Sequence, residues 1–119
     1  MPADRDSYWL HDMVDSAQRA TYVQGISESQ FYADLFVQDA VAWRIAIIGE
    51  AARRVSDTTR GRITGLPWKQ IVQMCNKLLH EYSHIRADII WAPVQHDLPA
   101  LVTQVEAYLN TLPGSGAAP

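Results

Sequence analysis

The 119-residue sequence holds one cysteine, Cys75, which excludes an internal disulfide and any metal site built from a cysteine cluster. It also lacks a long apolar run: no stretch approaches the ~20 residues needed to cross a bilayer, so no membrane partner is expected. The opening Met1-Pro2-Ala3-Asp4-Arg5-Asp6 has neither the basic start nor the apolar stretch of a secretory signal, and the expected location is cytoplasmic. A basic surplus is missing too, with formal net charge −3 and a sequence pI near 5.7. Phosphate neutralisation supplies most non-specific affinity for nucleic acid, so any RNA contact has to come from a local patch. Glycine-rich phosphate loops and a serine nucleophile elbow are absent as motifs. Strands are not expected, because there is no sustained apolar/polar alternation and no Asn-Gly or Asp-Gly hairpin turn.

What is present is an ordinary globular balance, 48% hydrophobic and 19% charged residues. The length suits one hydrophobic core, without a wide margin, and is compatible with a dimer. Residues 1–112 read as one helical domain, and Pro113-Gly114-Ser115-Gly116-Ala117-Ala118-Pro119 as a flexible tail.

Trp9, Leu10, Met13, Val14, Ala17 and Ala20 recur at three-and-four spacing and predict a first helix from Asp4 or Asp6 to about Val23. Gly25 ends it. Ser27 with Gln30 three positions on is a capping box for the next element. That element runs to Val55, bends or divides between Asp34 and Asp39, and from Asp39 to Ser56 is apolar enough to be the central helix. Asp57 to Gly65 reads as a polar loop. Pro67 then starts a helix carrying Trp68, Ile71, Val72, Cys75, Leu78, Leu79 and Tyr82 to about His84. After a joint at Ile85-Arg86-Ala87, Asp88 caps a last helix that Pro99 should kink or split. The four tryptophans read as packing residues. Short connections between amphipathic helices predict an all-α, up-and-down antiparallel bundle of four to six helices.

Chemistry, if there is any, gathers on the Pro67 helix. Asn76, Lys77, His80 and His84 share one face or its margins by spacing. A histidine beside a cation and an amide is a workable acid/base centre, since its pKa lies near neutrality. A solvated polar face explains the same spacing. Cys75 falls on the apolar side, the usual place of an inert structural cysteine. His80-Glu81-Tyr82-Ser83-His84 formally matches the zinc-protease pentapeptide, but such enzymes need a third ligand and a cleft; no metal ligand and no cofactor is therefore assigned.

Several runs together resemble the HepT-like family of the HEPN superfamily. They are Ala40-Val41 with Arg44, Ile47-Ile48-Gly49-Glu50-Ala51-Ala52, Pro67-Trp68-Lys69-Gln70-Ile71, Met74-Cys75-Asn76-Lys77-Leu78-Leu79-His80-Glu81-Tyr82, Ile89-Ile90-Trp91 and His96-Asp97-Leu98-Pro99. The resemblance implies a HEPN-like helical bundle that dimerises and cuts RNA without a metal, the toxin of a type II toxin–antitoxin pair. The family signature is an arginine followed by a polar residue, a histidine five positions after the arginine, and a tyrosine two further on. Here Asn76, His80 and Tyr82 match it, with His80 the acid/base group. The implied partner is an MntA-like nucleotidyltransferase antitoxin that transfers AMP to Tyr82, placing anionic charge beside His80. The departure is Cys75, which stands at the arginine position. A thiol cannot grip phosphate as a planar guanidinium does, so attenuated activity is expected unless Lys77 or Arg86 supplies the cation. The competing reading is a catalytically silent helical dimer that binds a nucleotidyltransferase.

Overall fold

Among the residues that this computed structural model describes, 2–81 and 87–113, every regular element is a helix and no strand forms. The order is α1 (Pro2–Ala20), a 3₁₀ turn (Thr21–Gly25), α2 (Glu28–Ala33), α3 (Leu35–Arg54), α4 (Asp57–Arg62), α5 (Trp68–Glu81), α6 (Ala87–Ala92), a π turn (Pro93–Asp97) and α7 (Leu98–Leu109). The expected all-α bundle is borne out.

Local chemistry explains most boundaries. Ser27 caps α2 by accepting from the Gln30 amide, while the Gln30 side chain accepts from the Ser27 N–H at 2.8 Å, the reciprocal pair of a capping box. The division expected between Asp34 and Asp39 falls at Asp34, whose extended backbone closes α2 and whose carboxylate accepts from the Val37 amide at 3.1 Å to open α3. The last helix is split as expected near Pro99: a π turn separates α6 from α7, and Pro99 lies in the first turn of α7, where its missing N–H costs nothing.

Tertiary contacts give the directions. Asp6, near the start of α1, bonds Ser56 beyond the end of α3, so these helices run antiparallel. Cys75 of α5 donates to the carbonyl of Ala46, and Gly49 of α3 meets both Cys75 and Ile71, so α5 runs antiparallel to α3. Ser7 shares a surface groove with Tyr108 and Leu112, setting α7 antiparallel to α1. The four long helices thus alternate up and down. As expected, α3 is the central one, burying Val41, Ala42, Ile45, Ala46, Ile48, Gly49, Ala51 and Ala52. Leu10, Met13, Phe31, Ile90, Val94 and Val105 complete the most deeply buried part of the core.

Two expectations need correction. Residues 57–62 are helix α4, not loop. Ser56 caps it, and the buried Asp6 carboxylate accepts from the Ser56 hydroxyl at 2.5 Å, the Thr59 hydroxyl at 2.6 Å and the Ser56 amide at 3.0 Å. That anchor lies fifty positions away in sequence, beyond the reach of local pattern. Trp43 is not packing: it is 58% exposed, on the side of α3 away from the Val41–Ile45–Ile48 stripe, and Leu35 and Phe36 are also exposed. The tail expected over 113–119 lies outside the described residues from 114 onward. No helix among the described residues is long and apolar enough to cross a membrane.

Candidate active site

Helix α5 divides its residues by angle. At 3.6 residues per turn, Asn76 and His80 lie about 40° apart around the axis, while Cys75 is about 140° from His80. The packing follows that arithmetic. Cys75 is 3% exposed and Leu78 is buried, both facing the interior, while Asn76, Lys77 and His80 are exposed. The structure therefore brings Asn76, Lys77 and His80 together on one outward face and sets Cys75 apart, under α3. Tyr82, His84 and Arg86 lie outside the described residues, and with them the expected modified tyrosine and second cation.

The surroundings of Cys75 are tight. A Cβ added to Gly49 would overlap the Cβ of Cys75, and would lie 3.0 Å from its Sγ and 3.1 Å from the Ile71 carbonyl oxygen. Glycine inside a helix costs about 1 kcal/mol relative to alanine, so its place in α3 is explained by this close crossing. The thiol donates to the Ala46 carbonyl at 3.2 Å. Burial pushes its pKa up, the Glu50 carboxylate pushes the same way, and Arg53 opposes them. The net direction is up, so Cys75 is a neutral packing residue and not a thiolate nucleophile.

A charged cluster on α3 was not singled out in the sequence. Glu50 accepts two bonds from one Arg53 nitrogen, at 2.7 and 2.8 Å, and one from Arg54 Nε at 2.9 Å. The Arg53 bond is the largest cause holding the Glu50 carboxyl below its ordinary pKa. Arg54 also stacks its guanidinium 5.0 Å over Trp9. Arg53, on α3, is thus a cation whose field reaches Cys75. The signal was in the sequence, as acid and base at i, i+3 and i+4 directly after Gly49.

One turn from the Ala46–Cys75 contact, antiparallel register brings Trp43 of α3 level with Leu79 of α5, and both are exposed. Leu79 thus puts exposed apolar surface beside Asn76 and His80 on α5. Among the described residues no group of three or more His, Cys, Asp or Glu could hold a metal ion.

Fold and site define an all-α domain whose outward helix face joins an amide, an amine and an imidazole beside an exposed apolar strip. The comparisons specify the family: a family model described as "Ribonuclease HepT-like" matches residues 13–108. A proposed RNase of Methanocaldococcus jannaschii is 30% identical over 99 residues, 82% of this chain and 91% of that protein. A proposed RNase of Caldanaerobacter subterraneus is 36% identical over 88 residues, 74% of this chain and 79% of its own length. A proposed ribonuclease HepT of Thermococcus cleftensis is 26% identical over 99 residues, covering 82% and 90% of the two chains. No solved structure matches the chain. The chain belongs to the HepT-like ribonuclease family of the HEPN superfamily.

Proposed function

We propose that this protein is an endoribonuclease toxin that cuts RNA without a metal, with His80 as its proton-transfer group. The carrying observation is that a member of a ribonuclease family presents Asn76 and His80 outward together on one face of α5. In this reading His80 takes the proton of a ribose 2′-hydroxyl as that oxygen attacks the adjacent phosphorus. The bond to the 5′-oxygen breaks, and the departing oxygen takes up a proton. The products are a 2′,3′-cyclic phosphate and a 5′-hydroxyl end. Asn76 orients the phosphate by hydrogen bonding, and Lys77 lends charge to it.

A second copy of the chain packs on Trp43 and Leu79, bringing two His80 side chains to one cleft. A nucleotidyltransferase antitoxin silences the cleft by moving AMP from ATP to the Tyr82 hydroxyl, releasing pyrophosphate. The added anion repels RNA phosphates.

The test is cleavage of a mixed RNA by purified protein in excess EDTA, with formation of cyclic-phosphate ends as the readout. His80→Ala abolishes cleavage on this reading. Cleavage that survives His80→Ala, or that disappears with EDTA alone, sinks it. A second reading, a silent dimer that only binds the nucleotidyltransferase, is favoured by one observation: a buried neutral thiol stands where the family signature has arginine. It predicts no cleavage by the natural chain under any condition, and His80→Ala then leaves every phenotype unchanged.

A further inference from the structure

We infer that the trough between the end of α1 and the start of α3 is a second RNA-contacting site, holding single-stranded nucleotides that flank the scissile bond. The inference rests on the ribonuclease reading, but the site is separate from the His80 face, because α1 and α5 pack against different sides of α3.

Arg19, Tyr22, Phe36, Val37, Ala40, Val41 and Arg44 line one part of the trough, an open space of ≈ 350 Å³. Tyr22, Phe36 and Val37 also line the adjoining part towards Ile26 and Gln30, so the depression is continuous. Its two aromatic rings are strongly exposed, Tyr22 at 74% and Phe36 at 86%. They are the two most exposed aromatic rings among the described residues, and they lie together at the mouth of one groove. Both cations are guanidinium groups. Arg19 is held by Asp15 through Nε at 3.1 Å, which leaves its terminal nitrogens to the trough. Arg44 is half-buried and takes part in none of the ion pairs among the described residues. The nearby Asp34 carboxylate is occupied in capping α3.

Exposed rings for base stacking and guanidinium groups for phosphate are the two parts of a sequence-tolerant single-strand site. An apolar protein partner would have no use for the unpaired Arg44. The site also accounts for how a chain of net charge −3 holds RNA, through a local patch and not a general field. Phe36 and Trp43, seven positions apart, lie on the same rim of α3, so the trough opens at the edge of the proposed dimer contact, where a strand leaving the His80 cleft emerges.

The test uses the full chain carrying His80→Ala, so that RNA is bound and not cut, with a fluorescein-labelled single-stranded RNA of mixed sequence as probe. Anisotropy titrations are run at several salt concentrations. Phe36→Ala and Tyr22→Ala should each weaken binding about tenfold by loss of stacking. Arg44→Gln should weaken it about tenfold and reduce the log–log salt slope by about 0.7, the value for one phosphate contact on a single strand. Arg62→Gln, at the far end of the molecule, should change affinity little beyond its general charge. All three trough side chains reach solvent, and thermal melting checks that each variant folds; Arg44→Gln stands alone if an aromatic variant does not. Binding unaffected by Phe36→Ala and Arg44→Gln overturns the site while leaving the ribonuclease reading intact. Unaffected RNA binding with lost self-association assigns the trough to protein contact and overturns it too. Absence of RNA binding by the His80→Ala parent removes the ribonuclease reading, and this inference with it.

Discussion

The corner where α1 meets α4 and the outward face of α5 use polar residues in opposite ways. At the corner, Asp6 is buried and its carboxylate accepts three bonds from Ser56 and Thr59. On α5, Asn76, Lys77 and His80 point outward and none bonds another described residue through its side chain. The first arrangement turns polar groups into structure, since a buried carboxylate is tolerated only when fully hydrogen-bonded. The second leaves them for a ligand. Cys75 lies between the two kinds: it is on the functional helix by sequence but in the structural interior by packing. The largest expected effects come from moving a residue from one side of this comparison to the other.

Replacing Cys75 with arginine is the strongest such move. Its side chain would leave the Gly49 contact towards Glu50, and competition for that carboxylate would loosen Arg53. A guanidinium at this point is expected to raise RNA cleavage by about 10²–10³, the scale of one transition-state anion contact. The gain should vanish in Cys75→Arg/His80→Ala. An unchanged rate in a folded Cys75→Arg protein would mean that position 75 cannot reach the scissile phosphate in this backbone.

Next comes the corner itself. Asp6→Ala leaves the Ser56 and Thr59 hydroxyls without their acceptor and should cost about 3 kcal/mol in urea unfolding, the upper end for buried donors stripped of a partner. RNA cleavage by the folded fraction should not change. The same carboxylate makes a pH prediction. Burial raises its pKa, but the bonds from Ser56 and Thr59 outweigh that and hold it below the ordinary value of 3.8. A folded-state pKa lower than the unfolded one stabilises the protein above the unfolded pKa. That contribution is lost as pH falls through the lower, folded value. Acid melting should therefore steepen below about pH 4, and Asp6→Asn should flatten it. An equally steep acid limb in Asp6→Asn would assign the transition to other carboxyls.

The α3–α5 crossing sharpens the comparison at smaller scale. Gly49→Ala gains about 1 kcal/mol of helix propensity but forces a methyl against the Cβ of Cys75, for which overpacking costs about 1–3 kcal/mol. Steric overlap with backbone-linked atoms should win, for a net loss of about 1 kcal/mol by denaturant titration. Gly49→Ala/Cys75→Gly should recover part of it. An additive double variant would show that the two positions do not press on each other.

Legibility followed the range of the forces involved. The α2 capping box, the break at Asp34 and the burial of Cys75 are set by residues within a turn or two, and all were visible in the sequence. Helix α4 was not, because its Ser56 cap depends on Asp6 from the other end of the domain. Trp43 was read as a packing residue because hydrophobicity reports what wants burial, not whether the angular stripe has room for it. The Asn76–His80 face was legible as spacing alone. That Arg53 of α3 acts on Cys75 depends on how α3 crosses α5, which spacing along α5 alone does not report.

The smallest expected effect is a test of the α5 face as a place held for a ligand. His80 is exposed and makes no bond with another described residue, so deleting its imidazole creates neither a cavity nor an unsatisfied partner. His80→Ala should shift unfolding free energy by less than about 0.5 kcal/mol, in contrast with Asp6→Ala. Lost cleavage with unchanged stability is the mark of a residue retained for chemistry. A loss of stability comparable to that of Asp6→Ala would show that His80 packs in the folded assembly, most simply against a second copy across the Trp43–Leu79 strip. Concentration-dependent melting would separate that case, because a dimer contact raises Tm with protein concentration and an internal contact does not.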